Sequence, residues 1–325
     1  MTTTHADTRS TIQQVAVAGA TGHVGREIVR LLLSRGILVR ALVRNPAKLE
    51  RLDGPLDIRR VQLTDAESIR GQLTGVDAVV SALGKTTQRG GASRRAVDVD
   101  ANLDLLDEAR HAGVGRFAFV SVATAHPDHP VAMVRMKGEV ERAIEQTAVD
   151  KRDLDGLVVQ PTGYFTDMWQ ALEMARRGTY WVIGDGAMRF NPIHPRDVAE
   201  VVVDRLLHGS ASFERLPIGG PETFDTAGLV RVCEAALGRS IRVRHVPLWL
   251  ARAAVAAIRP VHEDIWQLAD FFTGNVVYAR RELGDDASLP AVGKARLIDY
   301  FRTRLLDETT ADGDRLPDPH RVAVS

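Results

Sequence analysis

The chain has almost no cysteine: Cys233 stands alone among 325 residues. One thiol builds neither an intrachain disulfide framework nor a cysteine-only metal cage, and it fits a reducing compartment. Cys233 falls in the helix-like run GLVRVCEAAL, where a buried structural thiol is expected. Net charge is missing too. Lys plus Arg and Asp plus Glu each number 42, and without a basic excess no nucleic acid is expected as a partner. Long apolar runs are also lacking. The N-terminal MTTTHADTRSTIQQ has no apolar stretch of the secretory kind, and PLWLARAAVAAI is interrupted by Arg252 and too short to span a bilayer. The expectation is a cytoplasmic protein with no membrane span. No repeat of solenoid length and no low-complexity linker divides the sequence.

What is present is a rhythm. Strand-like apolar runs at residues 14–19, 37–44, 56–63, 76–83, 116–122 and 154–161 alternate with helix-like segments. Those segments are GREIVRLLLSRG, AESIRGQLTG, AVDVDANLDLLDEARHAG and a stretch centred on GEVERAIEQT. Each has apolar residues at helical spacing and ends near Gly or a turn signal. Such alternation predicts an α/β fold: a doubly wound parallel sheet with helices on both faces. After residue 161 the rhythm changes to the helices YFTDMWQALEMARRG and HPRDVAEVVVDRLLHG, short strands at YWVIGDG and IRVRHVP, and a helix-rich end. Four stretches are expected. Residues 1–13 form a disordered lead-in and 14–161 the sheet domain. Residues 162–308 form a smaller C-terminal substrate-facing lobe interleaved with it, and 309–325 a disordered tail.

The first strand runs straight into GATGHVG, which places glycines at Gly19, Gly22 and Gly25. Gly19 permits the tight turn, Gly22 clears space for a pyrophosphate, and Gly25 lets helix and strand pack closely. Immediately after a strand and at the start of an amphipathic helix, this pattern marks a Rossmann dinucleotide site built from Gly19, Thr21, Gly22, His23, Val24 and Gly25. The end of the second strand then selects the cofactor. NAD-binding folds place an acidic residue there for the ribose hydroxyls, whereas this chain has Arg44, with Lys48 one turn on. Cations cannot accept those hydrogen bonds but do pair with a phosphate, so NADP(H) is the expected cofactor. The bland alternative is a solvated basic rim. Asp65, after the third strand, could bond the adenine amino group. Ala82, Leu83 and Gly84, ending the fourth, would let the adenosine lie close.

GATGHVG, Lys137, QPTGYF and IHPRDVAE together resemble the atypical short-chain dehydrogenase/reductase superfamily, especially its NmrA-like branch. The likeness to divinyl chlorophyllide vinyl reductases is closer still and covers roughly residues 14–280. QPTGYF is similar to that family's Arg-Pro-Thr-x-Phe-Phe segment, with Gln160 at the Arg and Tyr164 in place of a Phe. GDGAMRFNPIHPRDVAE resembles its Gly-Asp-Gly…Lys-Pro-Ile-Ser segment, with Asn191 at the Lys and His194 at the Ser, and LPIGGP matches a third segment. The resemblance implies an NADPH-dependent reductase whose cofactor set also takes in Lys137, Pro161 and Thr162.

These dehydrogenases use a Tyr-x-x-x-Lys helix, in which the Lys lowers the tyrosine's pKa for proton exchange. Here the helix reads MVRMK, with Met133 at the Tyr and Lys137 retained. Met has no exchangeable proton, so alcohol–ketone catalysis from that position is excluded. The resemblance leaves Lys137 to bond the nicotinamide ribose and Ser121 to bond a substrate oxygen or the carboxamide. Tyr164 stands as the substitute proton donor or as pocket wall. His194 and Asp197 precede or begin a helix and read more simply as packing and capping residues. His126 and His129 form an HxxH in a Pro-rich loop with no third ligand in view, so no metal site is expected. Trp169, Trp181, Trp249, Trp266 and Phe271–Phe272 suggest an apolar or aromatic small-molecule substrate, or else core. Three functions remain open: reduction of an activated C=C bond, carbonyl reduction or epimerisation with a relocated acid, and non-catalytic dinucleotide sensing or assembly.

Overall fold

Seven short segments assemble side by side, the central ones buried on both faces as parallel strands require and the two edge strands, LDIRR and FERLPI, more polar. A computed structural model describes residues 12–49, 52–84, 92–258 and 280–313, with 266, 270, 273, 274 and 278. The sheet is formed by β1 (Gln14–Ala18), β2 (Leu38–Val43), β3 (Leu56–Arg60), β4 (Ala78–Ser81), β5 (Arg116–Val120), β6 (Asp155–Pro161) and β8 (Phe213–Ile218). Their order is β3-β2-β1-β4-β5-β6-β8, every pair parallel. This is a Rossmann-type α/β fold, and the order reverses between β1 and β4, the switch point where such sheets take ligands.

Successive residues of β1 face opposite cores, as the two-residue period of a strand requires. Val15 and Val17 pack with Ile28, Val29 and Leu32 of α1 (His23–Ser34) and Val202 and Leu206 of α6 (Pro195–His208). Ala16 and Ala18 pack in the other core, with Leu105 of α3 (Ala101–His111) and Val140 and Ile144 of α4 (Ala132–Glu145). The helix read from AESIRGQLTG shrinks to one turn, α2 (Ala66–Ile69), because Gly71 and Gly75 take left-handed φ of +75° and +77° just beyond it.

After Pro161 the chain does two things. α6 returns to α1, and β8 pairs with β6, so both belong to the sheet. α5 (Phe165–Arg176), the parallel pair β7 (Thr179–Ile183) and β9 (Arg242–Val246), α7 (Thr226–Leu237) and α9 (Leu297–Gly313) enclose a third core. Cys233 is fully buried there, and desolvation pushes its thiol up to about 12, which keeps it inert. Trp169 joins that core against Phe301, whereas Trp181 and Trp249 are 49% and 71% exposed, Trp249 on α8 (Leu248–Ile258). Of the two readings open for these rings, pocket wall or core, Trp169 takes the core, while Trp181 and Trp249 face outward. Phe271–Phe272 lie outside the described residues. α9 ends at Gly313. Residues 1–11 and 314–325 lie outside the described residues. Among the described residues no helix is long and apolar enough to cross a membrane.

Candidate functional site

The glycine loop is built by exclusion. Gly19 adopts φ +78°, and a Cβ there would sit 2.6 Å from the Ala82 carbonyl oxygen. A Cβ on Gly25 would sit 2.2 Å from the Gly19 oxygen, so helix and loop meet closer than any other residue allows. Gly22 N–H donates to Gly19 O at 2.9 Å and caps α1 without a side chain. The first-turn N–H groups of α1 therefore face the cleft with no side-chain oxygen on them, the arrangement that receives a phosphate. The loop fits a dinucleotide because its backbone is bare where the pyrophosphate must approach.

At the end of β2, Asn45 caps a single 3-10 turn, Pro46–Lys48, by accepting from Ala47 N at 3.2 Å. Arg44 and Lys48 are exposed on this turn. Arg26, which the sequence reading passed over, reaches across from α1 and donates to Lys48 O at 2.5 Å. Asp65 is exposed and caps α2 by accepting from Glu67 N at 3.1 Å, which leaves an oxygen for another donor.

Lys137 is brought to the end of β4. Its Nζ donates to Leu83 O at 2.6 Å and lies 4.7 Å from the Phe119 ring centroid. Added as a Cβ, a side chain on Gly84 would come within 3.4 Å of that nitrogen, so Leu83, Gly84 and Lys137 do converge. Burial pushes Lys137 below the usual lysine range, opposed by the charges of Asp98 and Glu141 and aided by that of Arg94. Asp98 lies in a π turn, Ala96–Asp100, held open by Asn102. Asn102 donates to Val97 O (3.2 Å) and Asp98 O (3.0 Å) and accepts from Ser81 Oγ at 2.5 Å. A signal for this existed: Asn102 begins the apolar stripe Leu105, Leu106, Ala109 at helical spacing, a polar residue on a buried face.

Ser121 faces a different task. Its hydroxyl donates to Glu141, a residue 1% exposed, whose carboxylate also accepts from Gln160 Nε2 at 3.0 Å and Arg215 Nε at 3.0 Å. With its proton committed there, Ser121 can offer a ligand only lone pairs. Burial raises the Glu141 pKa, against the pull of Ser121, Gln160 and Arg215. Glu141→Leu should destabilise the chain by about 1–3 kcal/mol by leaving Gln160 and Arg215 short of an acceptor. Chemical denaturation would measure it, and an unchanged midpoint would refute the network's role.

Tyr164 caps α5 and packs with the α1–α6 core, whereas Lys137 approaches from the α3–α4 side. Burial, with the Asp167 charge, raises its phenol pKa, so it stays protonated. Pro161 ends β6 in register with Ile218, and Thr162 Oγ1 donates to Asn191 O at 2.6 Å. Asn191 itself donates to Gly220 O and Leu289 O at 3.0 and 2.8 Å, stapling three segments. His194 accepts from Arg196 N at 3.1 Å and stacks edge-on against Phe165 and Tyr300, while Asp197 accepts from Ala295 N. Both are structural. His126 and His129 meet Glu282 at 3.3 and 3.5 Å, a third group no local spacing could reveal. Val131 N–H donates to His129 Nδ1, so in the neutral ring the proton sits on Nε2. The trio ties the loop 123–131 that follows β5 to Glu282, its three ligand atoms within 4.8 Å of one another, so a third possible ligand does join the HxxH. Beyond that loop lies a cavity of about 150 Å³ lined by Pro130, Val255, Trp266 and Tyr278, with Arg252 and Asp270 beside them.

Comparison with known proteins bears on the family and the fold. A family described as NAD(P)H-binding matches residues 19–208. The chain is 30% identical over 314 residues to a chloroplastic divinyl chlorophyllide a 8-vinyl-reductase of Oryza sativa subsp. indica, covering 88% of this chain and 77% of that one. It is 27% identical to the photosystem II assembly factor Ycf39 of Guillardia theta, over 72% of this chain and 73% of the other. Among solved structures, the NADPH-dependent quinone oxidoreductase QOR2 of Escherichia coli, complexed with NADPH, aligns with a TM-score of 0.68. It covers 90% of this chain and 99% of that one at 16% identity, a likeness of fold.

Proposed function

Because the chain belongs to the NAD(P)H-binding family, we propose that it is an NADPH-dependent reductase delivering hydride to an activated C=C bond of an apolar small molecule. Met133 carries this reading. It lies one helical turn before Lys137 on α4, where a ketone reductase of this type needs a tyrosine. Reduction of a conjugated C=C bond needs the acceptor held against the hydride donor, while the proton can come from a weak acid or water. The vinyl reductase named among the relatives supports the same class of reaction.

NADPH, when bound, supplies the hydride. The chain's own residues would do the rest. The glycine loop and α1 hold the pyrophosphate, Arg44 and Lys48 the 2′-phosphate, and Lys137 the nicotinamide ribose. Tyr164 packs with the α1–α6 core and its buried phenol is a weak acid, so the proton is assigned to water, with Tyr164 as the alternative donor. The cavity behind the 123–131 loop sets the rings of Trp266 and Tyr278 beside one cation and one carboxylate, a lining that suits a conjugated substrate carrying a polar group.

Turnover of stereospecifically deuterated NADPH against a panel of enones and ketones tests the reading. Deuterium is expected on a carbon that was alkenyl. Deuterium on a carbinol carbon would make the protein a carbonyl reductase instead. Tight NADP(H) binding with no transfer to any acceptor would favour a non-catalytic role, the reading to which the assembly-factor relative points.

A further inference from the structure

We propose that Arg26 completes recognition of the 2′-phosphate on the adenosine ribose, closing a three-cation clamp with Arg44 and Lys48. The inference rests on the reading of the dinucleotide as NADP(H). Arg26 follows Gly25 in the first turn of α1, and its Nη2–H donates to the Lys48 carbonyl. That bond directs the guanidinium to the turn after β2, where doubly wound folds receive the adenosine ribose. There its Nε is buried with no hydrogen-bond partner among the described residues. With Nε sealed off, the exposed Nη edge, already at the Lys48 carbonyl, is the part of this permanently charged group that an anion on the turn would meet.

The neighbouring cations point the same way. Among the described residues, Arg26, Arg44 and Lys48 have no carboxylate within ion-pair distance. Nearby arginines do: Arg30 pairs with Glu27 at 2.6 Å, and Arg40 and Arg59 both pair with Asp57, at 2.9 and 2.8 Å. A phosphate monoester offers three terminal oxygens, enough for two guanidinium forks and one ammonium. The turn beside Arg44 that carries Lys48 is fixed by the Asn45 cap, by Pro46 and by Arg26, so the backbone bearing these cations is set before the ligand arrives.

The competing role for Arg26 is a tether that only satisfies the Lys48 carbonyl. Calorimetric titration of the full chain with 2′,5′-ADP and with 5′-ADP separates the two. Arg26→Met should weaken 2′,5′-ADP about tenfold or more, the worth of one charged hydrogen bond, and leave 5′-ADP within twofold. Arg26→Lys should fall between and keep the wild-type melting point. Equal losses for both nucleotides, or none, would overturn the clamp and leave the tether. Arg44→Asp distinguishes the proposal from the reading beneath it. If Arg44→Asp abolishes the preference for 2′,5′-ADP and Arg26→Met does not, the clamp fails and the NADP(H) reading stands. If the wild type already binds the two nucleotides equally, the NADP(H) reading fails and takes the clamp with it.

Discussion

Gly25→Ala is expected to abolish NAD(P)H binding and to destabilise the fold by about 3 kcal/mol, the upper part of the range for overpacking. The added Cβ would lie 2.2 Å from the carbonyl oxygen of Gly19 and 2.7 Å from its carbon. Both are backbone atoms, so no rotamer change can make room. The only relief is to swing α1 away from the loop, and that opens the turn whose N–H groups hold the pyrophosphate. Gly22→Ala is the control. Its Cβ would stand 3.2 Å from Gly19 O, a contact a few tenths of an ångström can relax, so the fold should survive. Any loss of affinity there reflects space taken from the ligand. Dinucleotide titration alongside denaturant melts reads both effects. Near wild-type affinity in Gly25→Ala would mean the ligand does not use this turn.

Gly25 was legible in the sequence because its constraint is local: a strand, a turn and a helix within a dozen residues. The alternation of strands and helices was legible for the same reason, and it sufficed for the parallel sheet. Glu141 was not. In GEVERAIEQT it looks like one more charge on a solvated face, yet it is buried because Ser121 from β5, Gln160 from β6 and Arg215 from β8 converge on it. Those strands are neighbours only after the sheet has formed. Glu282 escaped for the same reason, more than 150 residues from the histidines it meets. Arg26 was hidden differently: its place beside the glycines was visible, but its direction depends on a hydrogen bond to another loop. The tryptophans show a different limit, since aromaticity alone does not separate Trp169 in the core from Trp266 on the cavity wall.

Lys137→Met should lower turnover by about 100-fold or more, the cost of misplacing a reacting group by an ångström, while dinucleotide affinity falls far less. The ammonium is held on three sides, by Leu83 O, by the Phe119 face and by the charge of Asp98. Met matches its length but leaves the Leu83 carbonyl without its donor and removes the cation from beside Asp98. The pH profile gives an independent reading. Burial sets the Lys137 pKa below the usual lysine range, so the charged form is lost as pH rises through that lowered value. Turnover should therefore be flat at lower pH and fall on the alkaline side, earlier than an exposed lysine would allow. In Lys137→Met the residual rate should lose that limb. In Lys137→Arg, whose charge does not titrate in this range, the limb should move out of reach while part of the rate returns. Both measurements use whichever acceptor of the enone and ketone panel is reduced. An alkaline limb that persists unchanged in Lys137→Met would assign the titration to another group, and an undiminished turnover would remove Lys137 from the site.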